Sequence, residues 1–515
     1  MPKLTRTQII FLVIFFVTMI LRFWQFPNIP VGLNQDEASA TIEAKAILET
    51  GADRWGIPFP VYFPVFGSGM NALLTYLTVP FVALFGVNIF TTRIVSELLG
   101  LVAIYCCYRF VKNISTETNA LIATGLLAFL PWHFMASRWG LESNMLPPFM
   151  IIGLALISEA LTKGGKWIYY CLIPLSLAIY GYGTGVTVVP ILLILIFIFN
   201  RKQILLEKKK WLVSLGLFSV IFAPLGLFIL KNYVTKVNYD FEKYLPFTAK
   251  LLANTRLDEV GNNRFATIQA NYEFILNGMK DGLPWNTSPG FGTIPEFLFV
   301  FFFVGLAFIV YKVNKDISNK LNLLLAWIIA NLGCLALIPA NVNRINTIFI
   351  PIIITIGLGI GFVISSIADL KLKKVAALGI FVPIFIFSWI FYTDYFTKYP
   401  DKYHFPRDLD QPFAEVVKLN QKTFITSRLP INYIFVLYYT DFPIKQFQKE
   451  AAVDAKNNNY SVRKFGNYYV DENLIKTESR ADPSYAFLLE NNETICSNEQ
   501  LTFTNRDYKV GYCRN

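Results

Sequence analysis

The sequence predicts a polytopic α-helical membrane protein with about 11 transmembrane helices and a small α/β extracytoplasmic domain at its C-terminal end. Of the 515 residues, 54% are hydrophobic and only 16% are charged, and the mean hydropathy is +0.45. Apolar runs recur along residues 1–393 at about the 20-residue length that crosses a bilayer as a helix. From residue 394 the chain turns polar. We therefore expect a transmembrane domain over 1–393 and a soluble domain over 394–515.

The predicted spans are separated by charged or Pro- and Gly-containing turns. The first is expected to be a signal anchor, because no small-residue cleavage site follows "RFWQFPNIP". Two of the segments, 167–180 and 184–200, are short and are joined by "GYGTG"; they form either two spans or one kinked span. The predicted segments are 8–24, 88–108, 118–135, 145–162, 167–180, 184–200, 211–230, 293–311, 320–338, 345–367 and 375–393.

The distribution of Lys and Arg predicts the orientation. With the N-terminus in the cytoplasm, nearly all basic residues of the short loops lie on the cytoplasmic side, and only Arg138 and Arg344 lie in short outer loops. The net charge of +11 is therefore a topology signal, and no nucleic-acid partner is expected. An integral protein of the cell (plasma) membrane is predicted. Its extracytoplasmic parts are 25–87, 136–144, 181–185, 231–292, 339–344 and 394–515.

The first outer loop, 25–87, is too long for a simple connector. Its stretch "DEASATIEAKAILETG" predicts a helix that Asn34 caps, with Glu37 in capping-box position and Gly51 as the stop. The following "NALLTYLTVPFVALFG" is apolar but short and contains a proline, which favours an interfacial helix. Asp36 and Glu37 either cap the first helix or present a carboxylate to the head group of a lipid substrate.

Two further outer turns carry candidate site residues. In "ASRWGLESNMLPP", Arg138 is a candidate phosphate ligand, and Glu142 and Asn144 are candidate ligands for the substrate. The alternative is a solvated turn with a snorkelling arginine. In "GYGTG", Tyr182 is a candidate substrate ligand, and the alternative is a flexible hinge.

The stretch "PANVNRINTIFIP" places Arg344 at the outer end of a span, where it either snorkels or neutralises a lipid phosphate. His404, which lies beside Arg407 in "KYHFPRD", is expected to be a surface residue of the tail. In the tail, "NYIFVLYYT", "NYYVDENLI" and "SYAFLLEN" resemble strands, and "PFAEVVKLNQK" resembles a helix.

Cysteine and histidine usage limits the other chemistry. Cys496 and Cys513 lie in the outer tail, where an oxidising compartment would let them pair. The chain has only 2 histidines, and no His/Cys cluster has metal-ligand spacing. No cofactor is expected to be required, and a divalent metal is not favoured.

Several motifs resemble the GT-C class of membrane glycosyltransferases, in particular the branch with protein O-mannosyltransferases and the aminoarabinose transferase of lipid A. The motifs are "LNQDEA", "ALFG", "SRWGLESN" and "GYGTGVTVVP", and the resemblance covers about residues 8–393. It implies transfer of a sugar from a polyprenyl-phosphate carrier to an acceptor (lipid, glycan or protein) on the outer face, with inversion. It also implies that Asp36 is the catalytic base and that Glu37 is the second acidic position.

One departure from the family pattern affects the donor phosphate. Many relatives have a basic residue ahead of the second interfacial helix, but "FPVFGSGMNALLTY" contains neither Lys nor Arg. The candidate phosphate ligands are therefore Arg138, Arg344 and Arg54.

Two other functions compete with the glycosyltransferase. A transporter or flippase of lipid-linked or small polar substrates is disfavoured because inverted-repeat hydropathy is not apparent and charges in the middle of spans are nearly absent. A scaffold whose tail binds a partner leaves the acidic pair of the first loop unexplained.

Overall fold

Long apolar helices make up most of the chain. The structure is a computed structural model that describes residues 4–66, 68–235, 245, 264–454, 461–478 and 485–513. In this part of the chain, 8 helices are long and apolar enough to cross a membrane, or up to 9 if one bent pair is counted as a span. The 8 helices are Arg6–Phe23, Ile89–Ile114, Glu142–Lys163, Gly185–Leu206, Lys208–Tyr233, Glu296–Lys315, Asn346–Ser366 and Leu370–Thr397.

These helices confirm the predicted polytopic fold, but the count of 11 spans is not confirmed. The predicted span 118–135 is the bent pair Glu117–Phe129 and Pro131–Ser137, with an angle of 59°. The break lies before Pro131, which has no N–H to continue the helix and forces Leu130 into an extended conformation. The predicted spans 167–180 and 320–338 form the shorter apolar helices Trp167–Ile179 and Asn322–Leu335.

The helices are numbered here in chain order. They are α1 (Arg6–Phe23), α2 (Gln35–Thr50), α3 (Leu73–Phe85), α4 (Ile89–Ile114), α5 (Glu117–Phe129), α6 (Pro131–Ser137), α7 (Leu146–Lys163), α8 (Trp167–Tyr170), α9 (Ile173–Ile179), α10 (Gly185–Leu206), α11 (Lys208–Ile229), α12 (Arg264–Leu276), α13 (Phe299–Lys315), α14 (Asn322–Leu335), α15 (Phe349–Ser366), α16 (Leu370–Thr397), α17 (Tyr399–Lys402), α18 (Asp410–Leu419), α19 (Asn432–Tyr439), α20 (Ile444–Glu450) and α21 (Glu472–Glu478).

The chain forms two compact units. The first contains residues 1–27, 96–224 and 257–403, as far as these ranges are described. Its helices α13 and α15 approach closely at Gly305 and Gly359, where a Cβ on Gly359 would lie 2.9 Å from the Gly305 nitrogen. Small residues at such crossings allow the dispersion contacts that hold membrane helices together.

The second unit contains residues 28–95, 225–256 and 404–515, again as far as they are described. Its main sheet has the strand order β4-β5-β6-β3-β7-β9-β8, in which β3 is parallel to β6 and β7 and the other pairs are antiparallel. A smaller hairpin, β1–β2, lies in the first loop. The strands are β1 (Tyr62–Val65), β2 (Ser68–Asn71), β3 (Thr423–Ile425), β4 (Ala452–Asp454), β5 (Ser461–Phe465), β6 (Tyr468–Tyr469), β7 (Tyr485–Glu490), β8 (Glu499–Thr504) and β9 (Tyr508–Cys513).

The first outer loop and the C-terminal segment share one hydrophobic core in this second unit. Leu33, Ala38 and Ile42, from α2 and the turn before it, pack in the same cluster as Phe413 and Val436 of the tail. A disulfide between Cys496 and Cys513 joins the turn before β8 to the end of β9. The predicted small α/β domain is thus confirmed as a fold, and residues of the first loop complete its core.

One tail element differs from its prediction. The stretch "NYIFVLYYT" was expected to be a strand and is helix α19, whose residues Tyr433–Tyr438 are all buried. An apolar run buried on all sides has no alternation, so hydrophobic periodicity does not separate helix from strand there. The stretch "NYYVDENLI" contains the short strand β6 and then begins helix α21, whereas "SYAFLLEN" contains β7 as expected.

Candidate active site

Helix α2 begins as the sequence predicts. Asn34 is its N-cap, and its side-chain oxygen accepts a hydrogen bond from the Asp36 backbone N–H at 2.7 Å. The Glu37 carboxylate accepts one from the Asn34 backbone N–H at 3.3 Å, which completes the capping box. Asp36 is half-buried, whereas Glu37 is fully buried. The two adjacent acids therefore occupy different environments within the second unit.

Glu37 forms a two-pronged ion pair with Arg93 in the first turns of α4. Arg93 Nε lies 2.8 Å from Glu37 Oε1, and Arg93 Nη2 lies 2.8 Å from Glu37 Oε2. Both side chains are fully buried. A fork-shaped guanidinium that meets both carboxylate oxygens holds the acid in one orientation. This geometry gives Glu37 a structural partner, and its predicted catalytic role remains a prediction.

Arg54 lies in a buried cluster away from the surface of the second unit. Its Nε is 3.1 Å from Glu43 Oε1, and its Nη2 donates to Ser39 Oγ at 2.9 Å. The Tyr433 ring lies 5.7 Å from the guanidinium carbon. Arg54 has no exposed surface, and its role as a phosphate ligand stays a prediction.

Burial and charge raise the pKa values of two carboxyl groups in this cluster. Desolvation is the main cause for both Glu43 and Asp53. The neighbouring Glu43 adds to the effect on Asp53, and the pKa of Asp53 rises to about 8, although the backbone N–H groups of Ile57 and Trp55 and the charge of Arg54 oppose the rise. Burial in this cluster therefore favours the protonated form of Asp53.

In the first unit, three of the predicted outer stretches meet. Asn346 Nδ2 donates to the Ser143 carbonyl at 2.5 Å, which joins the stretch around Arg344 to "SRWGLESN". The "GYGTG" turn packs on the start of α7, since a Cβ on Gly181 would lie 3.1 Å from the Leu146 nitrogen. Glu142 and Tyr182 are 8% and 7% exposed. The structure therefore brings these candidate substrate ligands into one region.

Asn144 holds this region together. Its amide donates to the carbonyls of Ala136 and Trp139, at 2.9 and 3.2 Å, and thereby closes the turn after α6. Beside it, the buried Ser143 Oγ and Asn346 Oδ1 have no hydrogen-bond partner among the described residues. Buried polar atoms of this kind are costly unless water or a ligand satisfies them.

The two predicted arginines of the short outer loops have different environments. Arg138 is fully buried, donates from Nη1 to the Arg22 carbonyl, and lies 5.4–5.8 Å from the rings of Phe26, Phe134, Tyr395 and Phe396. It therefore does not snorkel in a solvated turn. Arg344 is half-buried, and its backbone N–H donates to Asn341 Oδ1 at 2.8 Å.

An apolar groove of about 700 Å³ lies between α1, α5 and α16 of the first unit. Ile14, Gly125 and Phe385 line it, and Ser388 and Tyr392 are among its few polar side chains. Phe385 and Trp389 at its rim are 67% and 66% exposed. Pockets that enclose small molecules have volumes of about 300–1,000 Å³, so the groove is large enough for part of a hydrocarbon chain.

Arg93 was not among the predicted site residues, and no partner was predicted for Arg407. Arg93 and Glu97 are charged residues inside the predicted span 88–108, and charges inside spans are a known signal of function. His404 is exposed as expected, but Arg407 is only 8% exposed and its Nε lies 2.9 Å from Asp507 Oδ2. Nothing local in "KYHFPRD" indicates a partner 100 residues away.

Within the residues that the structure describes, no group of three or more His, Cys, Asp or Glu side chains is arranged to hold a metal ion.

Comparison with known proteins identifies the class of this fold. The family model for dolichyl-phosphate-mannose-protein mannosyltransferases matches residues 72–228. No curated protein matches the chain.

Solved structures of the same fold cover most of the chain. ArnT from Cupriavidus metallidurans bound to undecaprenyl phosphate matches with a TM-score of 0.60 at 13% identity, over 98% of this chain and 97% of that chain. Its apo state matches with a TM-score of 0.58 at 14% identity and the same coverage. An Archaeoglobus fulgidus oligosaccharyltransferase tethered with an acceptor peptide matches with a TM-score of 0.55 at 14% identity, over 84% of this chain.

The chain spans 63% of the length of that archaeal oligosaccharyltransferase but nearly all of ArnT. At these identities the similarity establishes the fold. The predicted resemblance to GT-C class membrane glycosyltransferases is confirmed, and so is the prediction of an integral membrane protein.

Proposed function

We propose that the chain is an integral-membrane glycosyltransferase that moves a sugar from a polyprenyl-phosphate carrier to an acceptor hydroxyl on the extracytoplasmic face of the cell membrane. The observation that carries this proposal is the half-buried Asp36 on a rigidly capped helix of the first loop, in a chain with the fold of ArnT along nearly its whole length. The N-terminus is proposed to be cytoplasmic, following the charge asymmetry of the loops.

The reaction needs one base and a stabilised leaving group. The acceptor oxygen attacks the anomeric carbon of the sugar from the face opposite the phosphate, and the bond between that carbon and the phosphate oxygen breaks. The acceptor proton goes to Asp36, and polyprenyl phosphate leaves with the bonding electron pair. A hydroxyl is a poor nucleophile without a base within hydrogen-bond reach. Inversion of the anomeric carbon follows from this single displacement.

Neutralisation of the phosphate replaces a separate general acid. Cationic side chains aimed at the charge that develops on a leaving group lower the barrier by electrostatic stabilisation. We assign this role to Arg344, which is half-buried, and not to Arg138, whose guanidinium is enclosed by aromatic rings. Glu142 and Tyr182 are proposed to contact sugar hydroxyls, and Asn144 to hold their turn. We propose that no metal is required.

The apolar groove of the first unit supports a lipid-linked donor. Its walls belong to three helices of the predicted membrane region, and its lining is almost entirely hydrocarbon. A carrier chain that enters the groove leaves bilayer lipid rather than water, so van der Waals packing against these side chains, and not the hydrophobic effect, would hold it there. The groove is therefore proposed to hold part of the carrier chain.

The purified full chain tests this function directly. It is given a panel of radiolabelled polyprenyl-phosphate sugars, with a membrane extract as the source of acceptors. Cleavage of the donor to polyprenyl phosphate, with the label in a new product of inverted configuration, is expected, and chelation of divalent metals should leave the rate unchanged. A loss of activity on chelation would overturn the metal-free proposal alone.

The alternative is movement of an intact lipid or small polar molecule across the membrane. The same protein reconstituted in vesicles distinguishes the two. A transporter or flippase would carry the labelled substrate to the other side without breaking the bond between sugar and phosphate. Chemically intact donor on the opposite leaflet would contradict the glycosyltransferase.

A further inference from the structure

The turn that leads to Asp36 is held from two sides in the second unit. On one side, Arg93 of α4 donates from Nη1 to the Pro30 carbonyl at 2.6 Å and from Nη2 to the Gly32 carbonyl at 2.8 Å. The same guanidinium meets both oxygens of Glu37 at 2.8 Å. One buried side chain therefore ties together the turn and the residue next to Asp36.

On the other side, the C-terminal segment adds a short parallel β-bridge to this turn. Val31 pairs with His404, the Phe405 N–H donates to the Val31 carbonyl at 3.0 Å, and the Leu33 N–H donates to the Pro406 carbonyl at 2.9 Å. Leu33 is fully buried. These main-chain bonds fix the path of the turn immediately before the Asn34 cap.

Gly32 permits this close approach. Its φ is +80°, and a Cβ at this position would lie 2.5 Å from the Pro406 carbonyl oxygen and 2.6 Å from the Phe405 carbonyl oxygen. A side chain here is therefore excluded both by the backbone conformation and by the tail.

The bridging segment is in turn fastened to the C-terminal sheet. Arg407 Nε lies 2.9 Å from Asp507 Oδ2, and Asn505 Nδ2 donates to the Asp408 carbonyl at 2.8 Å. Asn505 and Asp507 lie in the turn between β8 and β9. The segment 404–408 is thus hydrogen-bonded both to the turn before Asp36 and to the turn between β8 and β9.

We propose that Arg93 and the main chain of residues 404–406 position Asp36 for proton transfer, so that the C-terminal segment is part of the catalytic apparatus. This inference rests on the proposed function of Asp36 as the base. Arg93 and the tail are positioning elements, since they act through Glu37 and the turn. A displacement of about 1 Å in a catalytic group lowers turnover by about 100-fold.

Substitutions at Gly32 and Gly56 form a matched pair that tests the tail. Both glycines have left-handed φ, +80° and +89°, but a Cβ on Gly56 would meet nothing within 4 Å. Gly32→Ala should lower kcat, normalised to the amount of protein that binds donor, by about 100-fold and leave the donor KM unchanged. Gly56→Ala should leave both kcat and KM unchanged. Hydrogen exchange of the Leu33 amide, read by mass spectrometry, should accelerate only in Gly32→Ala. Equal exchange in the two variants would overturn the proposed role of the tail.

A double-mutant cycle tests Arg93. Arg93→Gln and Glu37→Gln should each lower kcat, and the double variant should be no slower than the worse single one, because both remove the same contact. Arg93→Lys should not restore turnover fully, since an ammonium cannot meet two oxygens in parallel. Additive losses in the cycle, with unchanged exchange at Leu33, would overturn the role of Arg93. Absence of transfer by the wild type would instead reject the proposed function. The exchange measurement does not depend on activity, so the two failures are distinguishable.

Discussion

Asp36 and Glu37 are adjacent acids in the first turn of one helix, yet they occupy different environments. Glu37 is fully buried and meets Arg93 through both of its oxygens. Asp36 is half-buried, and its backbone N–H donates a hydrogen bond to the side chain of the Asn34 cap. The sequence indicated the pair and its capping box. It did not show that only Glu37 is fully buried in an ion pair, because the partner of Glu37 lies 56 residues further along the chain.

Arg344 should be the residue whose loss weakens donor binding most. A charge-assisted hydrogen bond contributes about 1.5–3 kcal/mol, so Arg344→Gln should raise the dissociation constant of the polyprenyl-phosphate donor by about 10- to 100-fold. Binding of labelled donor to the purified chain measures this. Arg201→Gln, at a predicted cytoplasmic loop, is the control and should bind normally. Equal donor affinity in the two variants would remove Arg344 from the phosphate site.

Asp53 should make the stability of the second unit depend on pH. Burial, with the help of Glu43, raises its pKa from 3.8 to about 8. The folded chain therefore keeps a proton that the unfolded chain releases between these two pH values, and the free energy of unfolding falls as the pH rises through this window. The charged groups that face Asp53 are Glu43 and Arg54.

The substitution Asp53→Asn cannot lose that proton, and its amide oxygen can still accept from the N–H groups of Trp55 and Ile57, which donate to Asp53 at 2.9 and 2.8 Å. The thermal midpoint of Asp53→Asn should therefore exceed that of the wild type by more at pH 8 than at pH 5. Asp408→Asn, with its side chain 58% exposed, is the control. If the thermal midpoints of the wild type and Asp53→Asn differ by the same amount at pH 5 and at pH 8, the role of Asp53 is refuted.

At the scale of elements, local sequence signals predict where a helix begins and ends better than they predict what it packs against. Helix α2 begins and ends as its sequence indicates, at the Asn34 cap and at Gly51 with φ of +69°. Pro131 was visible in the predicted span 118–135, but the direction and size of its 59° bend depend on packing. Helix α19 was mistaken for a strand, because burial on every side removes the alternation that separates the two.

The groove between α1, α5 and α16 offers an element-scale test of the lipid donor. Gly125 lines the groove, and a Cβ there would have only one neighbour within 4 Å, Ile14 Cδ1 at 4.0 Å. Gly125→Leu should therefore fill the groove without disturbing the helices. The donor KM should rise for long-chain carriers and stay unchanged for a carrier with a short isoprenoid chain.

The control for this test lies on α16. Gly379 is exposed, is not in the groove lining, and a Cβ there would meet nothing within 4 Å. Gly379→Leu should leave the KM unchanged for both carriers. An unaltered KM in Gly125→Leu for long carriers would show that the carrier chain does not use this groove.

At the scale of the whole molecule, the first loop and the tail build one unit although about 370 residues separate them in the sequence. Ile42 and Phe413 share a cluster, and Leu33 bonds to Pro406. Composition predicted the class of fold, because bilayer thickness acts on each segment alone. The side of each loop, inferred from the positive-inside rule, stays a prediction. Contacts between distant segments leave no periodicity in either one, so the bridge, the Arg407–Asp507 pair and the shared core were not predictable.

The most direct test of the account compares sugar transfer by the full chain and by Asp36→Asn, with the same lipid-linked donor. Loss of a general base lowers turnover by about 10²- to 10⁴-fold, and donor binding should be retained because the change is isosteric. Asp410→Asn, an exposed acid in the first turn of α18, is the matched control and should transfer at the wild-type rate. Transfer by Asp36→Asn within a few-fold of the wild type would show that Asp36 is only an acid in the first turn of its helix, and it would contradict the proposed mechanism.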